Sequence, residues 1–158
     1  MAQHSLTINW EDLARDELDP EEQADLAIAD EARLRAYAPY TNFLVGVAVR
    51  TNDDLVVPGW NMETIVHSGT HAEENALGNI AVGSRQLGVK RVTVAGGLQD
   101  SLSEEPVTSC GDCRQKILEL VRAEDDPMII MAGVRGRVLR AAVKSLLPLA
   151  FYPAAIKR

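Results

Sequence analysis

The chain has only two cysteines, Cys110 and Cys113, three residues apart in Ser109-Cys110-Gly111-Asp112-Cys113. Two such close cysteines rule out a disulfide-built scaffold and leave the fold to a hydrophobic core. At 158 residues the chain has the length of one such domain. Ser109 reads as a helix cap, which places both thiols in the first turn of a helix running to about Arg122. Free N–H groups and the helix dipole favour thiolate over thiol at that point. The pair makes a two-ligand bite for a soft metal such as zinc, and a redox dithiol has the same spacing.

Thr70-His71-Ala72-Glu73 opens another expected helix, from about His71 to Val82, closed by Gly83. Thr70 and Glu73 fit a capping box, in which Glu73 only reaches back to a backbone N–H. Combined with the cysteine pair, the segment admits a second reading. His71, Cys110 and Cys113 would supply three protein ligands and leave a fourth position to water, the layout of a catalytic zinc site. Glu73 would then emerge on another side of the same turn, free to carry protons. A closed structural site is the alternative, with His67 as fourth ligand, although Ser68-Gly69-Thr70 interrupts the helix that would align the two imidazoles. Outside such a site, His67 reads as a solvated loop residue or part of a pocket rim.

The remaining pattern alternates strands with helices. Asp19-Pro20-Glu21-Glu22 starts a helix whose Ala24, Ala27, Ile28, Ala32 and Leu34 recur at helical spacing up to Pro39. Leu44–Arg50 and Leu55–Trp60 form a hairpin about Asn52-Asp53-Asp54, and Lys90–Gly96, Met128–Met131 and Val134–Leu139 are three further strands. A short helix over Ala141–Leu147 follows. This order predicts an α/β fold, a mixed sheet of about five strands with helices on its faces.

Charge is unevenly distributed. Residues 1–25 carry eight acids against Arg15, whereas the remainder holds 15 of each sign, for a net charge of -7. The acidic stretch reads as a solvated N-terminal extension, with a single domain over residues 26–158. No basic stripe exists to hold a phosphate backbone, and aromatics for base stacking are few, which argues against a nucleic-acid partner. No apolar run reaches the ~18 residues of a membrane span, and Met1-Ala-Gln-His-Ser lacks the start of a secretory signal. A cytoplasmic location is expected.

With these residues in view, the chain resembles the cytidine deaminases. Tyr37-Ala-Pro-Tyr-Thr-Asn-Phe43-Leu-Val-Gly-Val-Ala48 is similar to that family's Y-x-P-Y-S-x-F-x-V-G-A-A segment, and Asn61-Met62-Glu63 to its ribose-binding N-x-E pair. His71-Ala72-Glu73 and Cys110-Gly-Asp-Cys113-Arg-Gln115 match its zinc motifs, and Leu146-Leu-Pro-Leu-Ala-Phe151 resembles its L-L-P-x-x-F ending. The resemblance runs from about Tyr37 to Phe151. It implies a three-layer α/β/α fold, a Zn²⁺ cofactor and hydrolysis of cytidine or deoxycytidine to the uridine and ammonia, a step of pyrimidine salvage. Zinc would be held by His71, Cys110 and Cys113, with Glu73 as the acid/base. The Ala72 amide would hold the base carbonyl, Phe43 would line the pocket, and Asn61 with Glu63 would grip the ribose. Phe151 would cap a neighbouring subunit's pocket. The short chain and its ending favour a homotetramer, while a histidine ligand is more usual in the dimeric group.

The chain departs from the family pattern at several positions. Ser109 stands where proline usually precedes the first cysteine, Asp112 replaces a small residue, and Thr64 replaces a frequent second Asn. Members with three thiolate ligands carry Arg after the catalytic Glu, offsetting a net negative site. Here a neutral histidine replaces one thiolate, the ligands and metal sum to zero, and Glu74 takes the Arg position while Arg114 remains beside the cysteines. The departures bear on substrate choice, leaving room for another aminated heterocycle, such as a blasticidin-type nucleoside or a modified base. From a different class, a non-catalytic deaminase-like binding protein with a structural zinc has the same motifs.

Overall fold

A computed structural model describes residues 3–81, 88–100, 104–121 and 125–151. Among the described residues, six strands form one sheet in the order β1-β6-β5-β4-β2-β3. They are β1 (Glu11–Ala14), β2 (Phe43–Thr51), β3 (Val56–Trp60), β4 (Val89–Leu98), β5 (Met128–Ala132) and β6 (Arg137–Ala142). Only β4 and β5 run parallel, so the sheet is mixed, as its sequence pattern implies.

Side-chain alternation along the strands divides the core in two. Val47, Val49, Val92, Val94, Ile129 and Met131 face α2 (Ala72–Ala81) and α3 (Gly111–Leu120). Ala48, Ala95, Ile130 and Ala132 face α1 (Pro20–Arg33), giving three layers. Two glycines on neighbouring strands let the helices settle on opposite faces. A Cβ on Gly46 would lie 2.1 Å from the Ala29 carbonyl of α1, and one on Gly59 would lie 2.4 Å from the Ala72 carbonyl of α2.

The α1 cap is as expected, with Asp19 accepting from the Glu22 N–H and Glu22 returning the bond. The helix stops at Arg33, however, short of Pro39, and its buried face only partly follows the apolar series read from spacing, of which Ala32 is buried and Ile28 partly so. Ala24 and Ala27 are exposed, while Glu22, Asp25, Leu26, Ala29, Ala32 and Arg33 are buried. The reason is electrostatic: Asp25, fully buried, accepts from both Arg50 of β2 and Arg91 of β4 at 2.6 Å. Charges that a periodicity argument turns outward are thus satisfied inside.

The sixth strand comes from the acidic N-terminal stretch. β1 pairs antiparallel with β6, and its acids form ion pairs, Glu11 with Arg140 and Asp12 with Arg137. This segment is therefore part of the sheet, and a boundary at residue 25 falls inside α1. β6 is displaced toward the C-terminus because Gly136, at φ 76°, turns the chain just before it. The expected helix over 141–147 is instead the end of β6 and a 3₁₀ turn, Val143–Leu146. The expected helix ends at Val82–Gly83 and Arg122 lie outside the described residues.

Candidate metal centre and active site

Two helix N-termini meet on the α2/α3 face of the sheet. α2 begins at Ala72, one residue later than expected, because Thr70 is tied into a bridge with Met62: each backbone N–H donates to the other's carbonyl. The cap position passes to His71, whose N–H donates to Glu74 Oε2 at 2.8 Å. Glu74, not Glu73, performs the capping-box function, which removes the structural explanation for Glu73. Lys116 of α3 then pairs with both Glu74 and Asp112, so the two helices are joined by a carboxylate–ammonium–carboxylate bridge. Hydrogen bonding to Lys116 is the main cause of a Glu74 pKa below the usual carboxylate range.

α3 is capped by Cys110, not Ser109: the Cys113 N–H donates to Cys110 Sγ at 3.5 Å. This turn brings both sulfurs to His71, whose Nδ1 lies 3.2 Å from Cys113 Sγ and 3.4 Å from Cys110 Sγ. Among the described residues, these three form the one cluster of histidine, cysteine or acid side chains able to hold a metal, their ligand atoms all within 4.8 Å of one another. The mixed imidazole and sulfur donors suit zinc. Burial first, and the Glu73 carboxylate second, push the Cys113 thiol well above the usual range; a bound cation acts in the opposite direction. His67 is outside the cluster, at φ 56° in a turn closed by its N–H donating to the Thr64 carbonyl, so the closed four-ligand alternative has no support in the geometry.

Glu73 is 4% exposed, and its Oε1 accepts from the Ser109 hydroxyl at 2.7 Å. It lines a cleft of about 240 Å³ with Phe43, Asn61, His71, Ala72 and Cys110, all expected from sequence. Val45, Val94, Val107 and Thr108 complete the walls; their strand or loop context carried no signal beyond core packing. The Ala72 N–H lies in the first turn of α2, where a helix offers no internal acceptor.

The other expected binding residues are placed differently. Asn61 is at the cleft, yet its amide also stitches β2, accepting from Val45 N–H and donating to the Phe43 carbonyl. Glu63 is not among the cleft-lining residues and holds the Tyr40–Thr41 turn through both backbone N–H groups and the Thr41 hydroxyl. Those bonds, the Thr41 hydroxyl first, lower its pKa. Phe151 is exposed and not among the residues lining this cleft, its backbone clasped by the Gln115 amide. Arg114 is occupied in donating to the Leu146 carbonyl.

A mixed sheet with two ligand-bearing helix starts and a buried carboxylate that no cap consumes defines the class: α/β proteins built around an open zinc site. The family follows from comparison. The chain belongs to the cytidine and deoxycytidylate deaminases, whose zinc-binding region matches residues 20–125. It is 35% identical over 124 residues to a cytidine deaminase of Halalkalibacterium halodurans, covering 78% of this chain and 88% of that one. A cytidine deaminase of Sporosarcina psychrophila is 31% identical over 126 residues, covering 80% and 88%. The crystal structure of cytidine deaminase from Burkholderia pseudomallei superposes with a TM-score of 0.71 at 35% identity, covering 81% of this chain and 97% of that one.

Proposed function

We propose that the protein hydrolyses the exocyclic amine of cytidine or deoxycytidine, using zinc held by His71, Cys110 and Cys113. The observation that carries this reading is the convergence of one imidazole and two sulfurs beside a buried carboxylate at a cleft of about 240 Å³. Zinc in such a site supplies acidified water at neutral pH. Glu73 Oε2, the oxygen not used by Ser109, would carry one proton from water to the ring nitrogen as the water oxygen adds at C4, then carry the proton of the new C4 hydroxyl to the amine as the C–N bond breaks and ammonia leaves. The Ala72 N–H donates to the base carbonyl, and Phe43 packs against the ring. Asn61 keeps one amide hydrogen and one lone pair for a ribose hydroxyl after its two backbone bonds. Glu63 reaches ribose by exchanging part of its hold on the Tyr40–Thr41 turn.

The protein works as a homo-oligomer in this reading, with a neighbour's Phe151 covering the cleft. Exposed Tyr37, Tyr40, Met62, Ile65 and Val66 provide apolar surface for that association. A reducing compartment, the cytoplasm, suits its thiolate ligands. Among the described residues no helix is long and apolar enough to cross a membrane.

A panel of nucleosides and free bases, followed by ultraviolet absorbance with zinc quantified on the same sample, tests the reading. Ammonia release from cytidine or deoxycytidine with one zinc per chain is the expected result. One zinc per chain without turnover of any aminated pyrimidine would overturn it in favour of a binding protein. Sedimentation velocity decides between tetramer, dimer and monomer.

A further inference from the structure

Glu73 has to be both buried and accurately aimed, and the fold withdraws its usual support. Glu74 takes the helix-capping bond from the His71 N–H, so that bond is not available to hold Glu73. A flexible carboxylate without donors is costly to bury and free to rotate. The donor that meets it comes from the other helix start: Ser109 Oγ, itself 2% exposed, at 2.7 Å from Oε1. Ser109 directly precedes Cys110, so this bond fixes the carboxylate relative to the turn that carries both sulfurs. Proline, usual at this position in the family pattern, offers no such donor.

We infer that Ser109 is a positioning residue, holding one oxygen of Glu73 so that the other faces the reacting atoms. The inference rests on the deaminase reading for its kinetic consequence. Its structural part, the orientation of the Glu73 side chain, stands separately. Losing one hydrogen bond to a charged group is expected to cost about 10- to 100-fold in rate.

The test compares the wild-type protein with Ser109→Ala and Ser109→Thr, measuring kcat, KM, zinc per chain and the Glu73 conformation in crystals. For Ser109→Ala the expectation is a fall in kcat of about 10- to 100-fold, KM within about twofold, and zinc unchanged at one per chain. Glu73 should be rotated or disordered in its crystals. Ser109→Thr, which keeps the hydroxyl, restores most of kcat and the Glu73 orientation. An unchanged kcat in Ser109→Ala, or a loss of rate matched by loss of zinc, overturns the inference. If the wild-type protein turns over no aminated pyrimidine, the functional reading fails, and an unmoved Glu73 in Ser109→Ala crystals still refutes the positioning role.

Discussion

The two faces of the sheet are held by different physics. Under α1 the contacts are small residues and buried ion pairs: Ala29 and the Arg33 backbone beside Gly46, Asp25 between Arg50 and Arg91, Glu22 on Arg140. Under α2 and α3 the contacts are aliphatic, Ile117, Leu77 and Val121 on Val47, Val92 and Ile129. Polar groups on that side are concentrated at the two helix starts. The difference separates stability from chemistry. The charged face locks helix to sheet through bonds of fixed direction, while the oily face leaves the metal cluster and Glu73 in surroundings where few competing charges compensate them.

Substitutions on each face should therefore fail in different ways. Glu73→Gln, on the oily face, should lower kcat by about 10²- to 10⁴-fold, the usual worth of a general acid/base, with zinc content and melting temperature retained. If metal analysis shows that zinc leaves with the activity, the separation breaks. Asp25→Ala, on the charged face, should cost about 3 kcal/mol in urea unfolding, the lower end for breaking a buried pair, because Arg91 and the nearly buried Arg50 lose their fully buried partner and keep only the more exposed Glu21 and Asp54, while activity per folded molecule stays near wild type. Gly46→Ala should cost about 3 kcal/mol, the upper end for overpacking, because the new methyl meets helix backbone. Gly59→Ala sharpens the contrast: the same clash falls on the α2 start, so zinc affinity in a chelator titration should drop along with stability. Glu74→Ala removes a cap and a partly exposed ion pair, worth about 1 kcal/mol, read as a lower thermal midpoint with faster zinc release.

The smallest effect concerns acid stability. Hydrogen bonds from Lys90 and Arg91 hold the Glu21 pKa down, from 4.5 to about 2. A depressed carboxylate stabilises the fold above its ordinary pKa, and that contribution disappears as pH falls through about 2. Glu21→Gln should flatten the pH dependence of stability between those values, with a modest loss of stability near neutral pH that shrinks to nothing as pH falls to about 2, which a series of thermal melts would detect.

The features legible in the sequence were those with local causes. Cys110 and Cys113 share a helical turn, Asp19 caps the residues that follow it, and the β2–β3 hairpin turns within a few residues. The features that were hidden depend on partners far along the chain. The buried side of α1 cannot be read from apolar spacing because Asp25 is neutralised by Arg50 and Arg91, 25 and 66 residues away. β1 is equally hidden, since only Leu13 of its four residues is partly buried and its acids look like solvated surface. At the site, the capping residue was misplaced by one position because Thr70 is held by Met62, a bridge invisible from the Thr-x-x-Glu pattern alone. Ser109 was visible as a departure from the family pattern, but its partner required both helix starts in three dimensions.

The pairing of β1 with β6 has a consequence for assembly. Glu11 is registered against Arg140 and Asp12 against Leu139, so β1 leaves the ribosome 129 residues ahead of the strand it pairs with. Such distant pairing is slow to close and leaves the strand waiting through synthesis. Its acids, Glu11 and Asp12, keep it well hydrated during that interval and become the grip on Arg140 and Arg137 once β6 arrives.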